Sequence, residues 1–361
     1  GPGFMLIYNV ANALLYCILA GAMISVAATA LAELSGLPET PLDAALPTSA
    51  GWVAIAVVLG LLFTLIAVLG FNALANFAGI CSPWIFLVFV AGALATLPKL
   101  GVKADLSNLW EVLSTKVWNG QPMPGQEQYG FWQITFFAWF CNLAMHIGLS
   151  DMALFRFARK PWYGIFTAVG VYPGHFLAWL CSGIMVAAVG RGMTPGRMAY
   201  EALGAAGVFG VLLAGWTTAN PTLYRAGLAL QSVTPGWPRW KITTWTGILT
   251  TALACFPLFF MKLLDYVAIY GLILMPVGAI VFVEHWVLPR IGVPSETAER
   301  LGVSINRDAV LVWAATLLAA WLLPMHLFYR WLPCWLIAMA AYAGLRYLRS
   351  RAPDGAREAA G

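Results

Sequence analysis

Apolar residues along this chain run in long blocks, each ended by a short break rich in Gly, Pro or charge. A helix needs about 20 mostly apolar residues to cross the hydrocarbon of a bilayer. Blocks of that kind at 4–32, 51–71, 74–98, 130–152, 163–190, 204–229, 242–261, 265–288, 309–324 and 327–347 predict ten transmembrane helices. The pattern predicts an all-α polytopic membrane protein with a single transmembrane domain over 1–348. The longest interruption, 99–129, carries Leu106, Leu109, Trp110, Leu113 and Val117 at helical spacing between Asp105 and Trp118. With Lys103, Lys116 and two Trp, this spacing predicts a helix lying in the membrane interface, as a surface support or as a recognition element. The charged, Ala/Gly-rich stretch 349–361 predicts a disordered tail.

Composition agrees: 61% of the 361 residues are hydrophobic and 10% charged, against about 25% charged in a soluble domain. A soluble fold of this length has too much surface to hide so much apolar area. The net charge of +5 therefore points to topology rather than to nucleic acid. Short loops rich in Lys and Arg stay cytoplasmic. If the first block runs outward, one side collects 13 basic residues, among them Arg156, Arg159, Arg225, Arg239, Arg290, Arg346 and Arg349, and the other collects 7. The expectation is a bacterial inner-membrane protein with both termini of the chain cytoplasmic. The six cysteines fall inside apolar blocks and form no CxxC pair, so they read as small buried hydrophobes. The first block is too long for a signal-peptide core. No nucleophile elbow, HExxH or P-loop occurs, so neither an enzyme nor a cofactor is expected.

Polar groups inside lipid are costly and therefore functional candidates. The sixth block contains Ala214-Gly215-Trp216-Thr217-Thr218-Ala219-Asn220-Pro221-Thr222. Pro221 lacks an amide hydrogen and frees a carbonyl one turn back. Freed carbonyls and paired hydroxyls are hard oxygen ligands suited to sodium. The alternative is a proline kink whose Thr hydroxyls bond back to their own helix. The fourth block places Asn142 and His146 on one face, with Asp151 further along. These groups suit either recognition of a polar heterocycle with proton relay, or helix packing with an Asp151–Arg156 ion pair. In the first block, Asn9, Asn12 and Tyr16 form one stripe. The eighth block has Pro276 and Gly278 mid-helix, a hinge or gate, followed by Glu284-His285, with Glu284 expected to pair with Arg290. His175 is expected to pack and His326 to lie at a boundary.

The run Trp216-Thr217-Thr218-Ala219-Asn220-Pro221-Thr222-Leu223-Tyr224-Arg225-Ala226-Gly227-Leu228 resembles the nucleobase:cation symporter-1 family, especially cytosine permeases. Leu143–Gly148 and Phe155–Arg159 resemble the middle and basic end of that family's sixth helix. Pro276–Val281 with Glu284-His285 resembles its tenth. The resemblance covers about residues 1–345. It implies a LeuT-type bundle of two inverted five-helix repeats with binding at the midplane. The ten blocks then correspond to the family's third to twelfth helices, and the chain is expected to be an N-terminally truncated piece.

By the same resemblance, Tyr16 and Phe140 stack on a substrate base, Asn12, Asn142, His146 and Asn220 line the site beside them, and the Ala214 carbonyl and Thr217 and Thr218 hydroxyls bind sodium. Asp151 and Glu284 are candidates for proton handling, and Pro276 and Gly278 for gating. The expected function is Na⁺- or H⁺-coupled uptake of a nucleobase or related small nitrogen heterocycle by alternating access. The expected partners are that substrate and the lipid bilayer. A LeuT-type carrier for an amino acid or other amine, and a non-transporting membrane sensor or scaffold of the same fold, are the alternatives.

Overall fold

The structure, a computed structural model, describes residues 1–38, 40, 44–122, 128–135, 152–190 and 192–351. Its regular elements are all helical among those residues. The longer helices are α1 (Pro2–Ser35), α2 (Ala50–Leu69), α3 (Phe71–Thr96), α4 (Gly164–Val189) and α5 (Pro195–Leu203). They continue with α6 (Ala205–Gln231), α7 (Arg239–Ala254), α8 (Leu263–Phe282), α9 (Arg307–Leu322) and α10 (Trp331–Ser350).

Among the described residues, five stretches are long and apolar enough to cross a membrane: Pro2–Ser35, Ala50–Leu69, Phe71–Leu100, Pro161–Val189 and Asp265–Val287. A chain with five such helices belongs in a bilayer. Helices α6, α7, α9 and α10 also follow predicted blocks but are shorter or more polar: α7 and α9 have 16 residues each, and α6 carries Thr, Asn and Arg. The predicted fourth block lies mostly outside the described residues. Leu61, Leu65 and Leu69 project from α2 well exposed, and Trp321 near the end of α9 is 81% exposed. Apolar side chains can face outward in this way where lipid is the solvent.

The helices separate into two compact units. The central unit comprises Asn12–Gln128 and Ile165–Leu263; the terminal unit comprises Gly1–Ala11, Tyr129–Gly164 and Leu264–Gly361.

The central unit is built on small residues. Lipid offers helices little hydrophobic drive to associate, so close backbone approach supplies the packing. Helices α2 and α7 interlock reciprocally: a methyl group added at Gly60 would overlap Thr251, and one at Gly247 would overlap Thr64. Because 60 and 64 ascend as 251 and 247 descend, the two helices are antiparallel. The hydroxyls of Thr64 and Thr251 donate to the carbonyls of Gly60 and Gly247, both at 2.7 Å. Each Thr thus settles its hydroxyl within its own helix.

Helix α1 runs parallel to α7, with the Cys17 thiol facing the Thr246 carbonyl and Ser25 Oγ donating to the Ala254 carbonyl at 2.7 Å. It runs antiparallel to α6, where Gly215 nests against Met23 and Ala27, while Tyr16 and Cys17 pack on Ala226. Helix α6 follows α2 in parallel: Trp216 stacks on Phe63 at 4.8 Å, and eight residues on, Tyr224 meets Phe71, the first residue of α3 beyond Gly70. Exchanging α1 with α6 and α2 with α7 reproduces this whole set of relations. Ala20, Ile24, Ala28, Trp52, Phe63 and Leu223 fill the core between them.

Helices α2 and α3 abut through Gly70 alone, at φ 98°, with the Arg239 guanidinium lying where a side chain would be. Only Gly meets both demands.

The surface helix in the long loop is shorter than predicted. It starts at Leu109 and closes in a wide turn at Val117. The preceding residues are held as a turn: Asn108 accepts from the Lys103 amide and donates to the Gly101 carbonyl, and Leu106 takes φ 59°. Local side-chain bonds outcompete the helix there. Leu109, Leu113 and Val117 pack against the apolar side chains of Leu97, Leu100 and Cys181, and Trp110 is 80% exposed. One side of this short helix is thus buried and the other exposed.

In the terminal unit, Met275, Ala279, Ile280 and Val283 of α8 and the turn after it pack on Val312 of α9 and Trp331, Trp335, Ala338 and Tyr342 of α10. The Trp331 indole donates to the Ala268 carbonyl at 3.0 Å.

Candidate functional site

Helix α6 continues through Pro221 without a break. Thr217 Oγ1 donates to the carbonyls of Leu213 and Ala214 at 2.9 and 3.2 Å. Thr218 Oγ1 donates to the same Ala214 carbonyl at 2.8 Å, and Thr222 Oγ1 to the Thr218 carbonyl at 2.7 Å. The structure thus has the back-bonded arrangement. It also gathers the three candidate sodium ligands, Ala214 O, Thr217 Oγ1 and Thr218 Oγ1, about one carbonyl. Pro221 offers no N–H to the Thr217 carbonyl, which would otherwise close the helical ladder.

Asn220 behaves differently. It is 1% exposed, and neither its amide oxygen nor its amide nitrogen has a hydrogen-bond partner among the described residues. An unpaired buried amide is costly, on the order of 1–3 kcal/mol per polar atom. Its neighbours Ala219 and Leu223 are fully buried in the central core.

Tyr16 and Asn12 are both buried on α1. Tyr16 lies against Ala226, with the Arg225 guanidinium 6.0 Å from its ring centre. Ala226 is six residues past Asn220, or about 9 Å along the helix. The central unit therefore spreads the predicted residues along α6: the hydroxyl cluster first, the orphan amide next, the aromatic ring beyond. The predicted Phe140, Asn142, His146 and Asp151 lie outside the described residues.

In the terminal unit Pro276 and Gly278 are buried mid-helix in α8. Glu284 sits in the wide turn Val283–Val287 that ends this helix. Its expected partner, Arg290, instead donates to the Trp286 carbonyl at 2.9 Å. Pro289 follows the wide turn after Leu288, and the guanidinium folds back along its own chain. Glu284 accepts from the Tyr342 hydroxyl and, at 3.5 Å, from the Thr297 amide. Asn306 Nδ2 donates to the same Tyr342 oxygen at 2.8 Å. Next to this network Asp308 forms ion pairs with Arg346 at 3.3 Å and Arg349 at 2.9 Å.

Tyr342, Asn306 and the Asp308 pairs were not among the predicted residues. The available signal was the spacing Tyr342, Arg346, Arg349, which puts three polar groups on one face of α10. His175 stacks on Trp179 at an exposed position of α4 instead of facing a bundle interior, and His326 contacts the Tyr129 and Tyr329 rings.

No protein-family model matches the chain, and no curated protein matches it.

Proposed function

We propose that this chain is the helical body of a secondary active transporter for a nucleobase or related small nitrogen heterocycle, coupled to Na⁺ or H⁺ and working by alternating access in a cell membrane. The observation that carries the reading is Asn220. Its amide is fully buried, unpaired and next to a mid-helix proline. An amide supplies both a donor and an acceptor, the pair of groups that the edge of a heterocyclic base complements. A polar group kept unpaired at this depth is best accounted for by a ligand that pairs with it.

Two further observations support the reading. The packing relations of α1, α2, α6 and α7 map onto themselves when α1 exchanges with α6 and α2 with α7, as inverted repeats would require. The oxygens of Ala214, Thr217 and Thr218 cluster on the same helix as Asn220, and each hydroxyl retains lone pairs for a cation. Tyr16 would stack on the ligand and Asn12 would line the site beside it. Phe140, Asn142 and His146 would contribute from the segment at 130–152, with Asp151 available for proton transfer. Pro276 and Gly278 would give α8 its hinge.

The test is uptake of radiolabelled cytosine, uracil and hypoxanthine by proteoliposomes holding the full chain, with and without inward sodium and proton gradients. The reading predicts accumulation of at least one base that depends on one gradient. Thr218→Ala should weaken the sodium dependence. Binding and uptake of all three bases that ignore both gradients and this substitution would remove the case for coupling.

A further inference from the structure

The terminal unit contains a cavity of about 690 Å³, within the size range of small-molecule sites. It lies where α8 ends and α9 begins, beside Tyr342 of α10, with Gly1 and Pro2 also lining it. Its apolar lining is Phe4, Met5, Val277, Ile280 and Val281, and its polar lining includes Glu284, Glu296, Glu299, Asn306, Thr297 and Tyr342. No Lys or Arg side chain among the described residues lines it.

The two carboxylates nearest the core are treated in opposite ways. Asp308 is 5% exposed and is matched by two guanidiniums. Glu284 is held only by neutral donors, the Tyr342 hydroxyl and the Thr297 amide, and no cationic side chain pairs with it among the described residues. Tyr342 is itself fully buried and fixed by Asn306, so the carboxylate is positioned without being neutralised. A second observation is independent of the acidic residues. Thr297, 3% exposed and also lining the cavity, has a hydroxyl with no hydrogen-bond partner among the described residues. A fixed uncompensated carboxylate, an unpaired hydroxyl and apolar lining side chains together describe a receptor for a cation with a hydrocarbon body. The apolar side chains beside the carboxylate direct the assignment to an organic cation.

We propose that this cavity binds a small organic cation, a primary amine or amidine on an apolar body, with Glu284 as its counter-ion and Thr297 as a second hydrogen-bond partner. The site uses none of the residues proposed to contact the heterocycle or sodium and does not depend on that reading, because binding to it can be measured without transport.

The experiment is calorimetric titration of the purified full chain in lipid nanodiscs with benzylamine, benzamidine and the neutral benzyl alcohol. The amine and amidine should bind at least about tenfold more tightly than the alcohol, the scale of a charge-assisted hydrogen bond. Glu284→Gln should remove that advantage, and Thr297→Val should weaken amine binding about threefold or more, as expected for one neutral hydrogen bond. Asn220→Leu should leave amine affinity unchanged; a loss there would place the amine in the central unit and overturn the assignment. Equal affinity for benzylamine and benzyl alcohol would also overturn it, as would a folded Glu284→Gln protein that still prefers the amine. Should Glu284→Gln fail to fold, the comparison of amine with alcohol on the unaltered chain still decides the matter.

Discussion

The two units handle buried polarity in opposite ways. In the central unit most buried hydroxyls bond within their own helix, with Ser25 reaching across to the Ala254 carbonyl. Thr64, Thr243, Thr246 and Thr251 each return a hydroxyl to a carbonyl three or four residues back, and the interlocked helices meet through Gly and Ala. Asn220 departs furthest from that economy: both of its amide atoms are unpaired, against one polar atom each on Thr40, Trp52 and Trp216 among the described residues. In the terminal unit polar groups reach across between elements: Arg346 and Arg349 to Asp308, and Asn306 to Tyr342 to Glu284. A hydroxyl bonded to its own helix explains its own presence, and so does a carboxylate between two guanidiniums. A buried amide with neither, and a carboxylate fixed but left without a cation, do not, and these are where a ligand is proposed in each unit.

Substitutions sharpen this contrast. The largest effect is expected from Gly247→Leu. Its side chain would drive into Thr64 of α2, and overpacking of this kind costs about 1–3 kcal/mol or more; thermal unfolding in detergent should show a large drop or no folded protein. Asp308→Ala comes next. It strands one guanidinium that is 11% exposed and one that is 36% exposed. Breaking a fully buried pair costs about 3–5 kcal/mol, and solvent access to Arg349 reduces that here to about 2–3 kcal/mol. Tyr342→Phe removes one hydroxyl from the Glu284 network and should cost about 1–2 kcal/mol, read from the same unfolding curves. Thr64→Val should be the mildest, below about 1 kcal/mol, because its hydroxyl bonds only within its own helix. If Thr64→Val proved as damaging as Asp308→Ala, the distinction between the units would fail.

Much of the helical framework was legible from apolar block length alone, because the backbone in lipid must satisfy its hydrogen bonds within each segment. The breaks at Gly70 and near Gly190 and Gly204 fall close to the predicted boundaries. The surface helix was overextended because periodicity at Leu106 and Leu109 concealed the competing turn chemistry of Asp105 and Asn108. At the site, the residue types around Pro221 could be read in advance, while the choice between hydroxyls folded back and hydroxyls free to ligate could not. That choice depends on rotamers set by packing against α1 and α2. The Arg290 partnership failed for a related reason. Six residues separate it from Glu284, and the wide turn with Pro289 between them sends the guanidinium back along the chain. The network of Asn306, Tyr342 and Glu284 joins residues 36 and 58 apart in sequence, a separation at which helical periodicity carries no information.

The most direct test of the central claim is a paired measurement on Asn220→Leu: thermal stability in nanodiscs, and uptake of the transported base by proteoliposomes. Replacing an unpaired buried amide by an apolar group of similar volume should leave stability unchanged or raise it by about 1 kcal/mol, while gradient-driven uptake is lost. Uptake that persists unchanged in a folded Asn220→Leu protein would contradict the assignment of this residue to the ligand, and with it the main support for the transport reading.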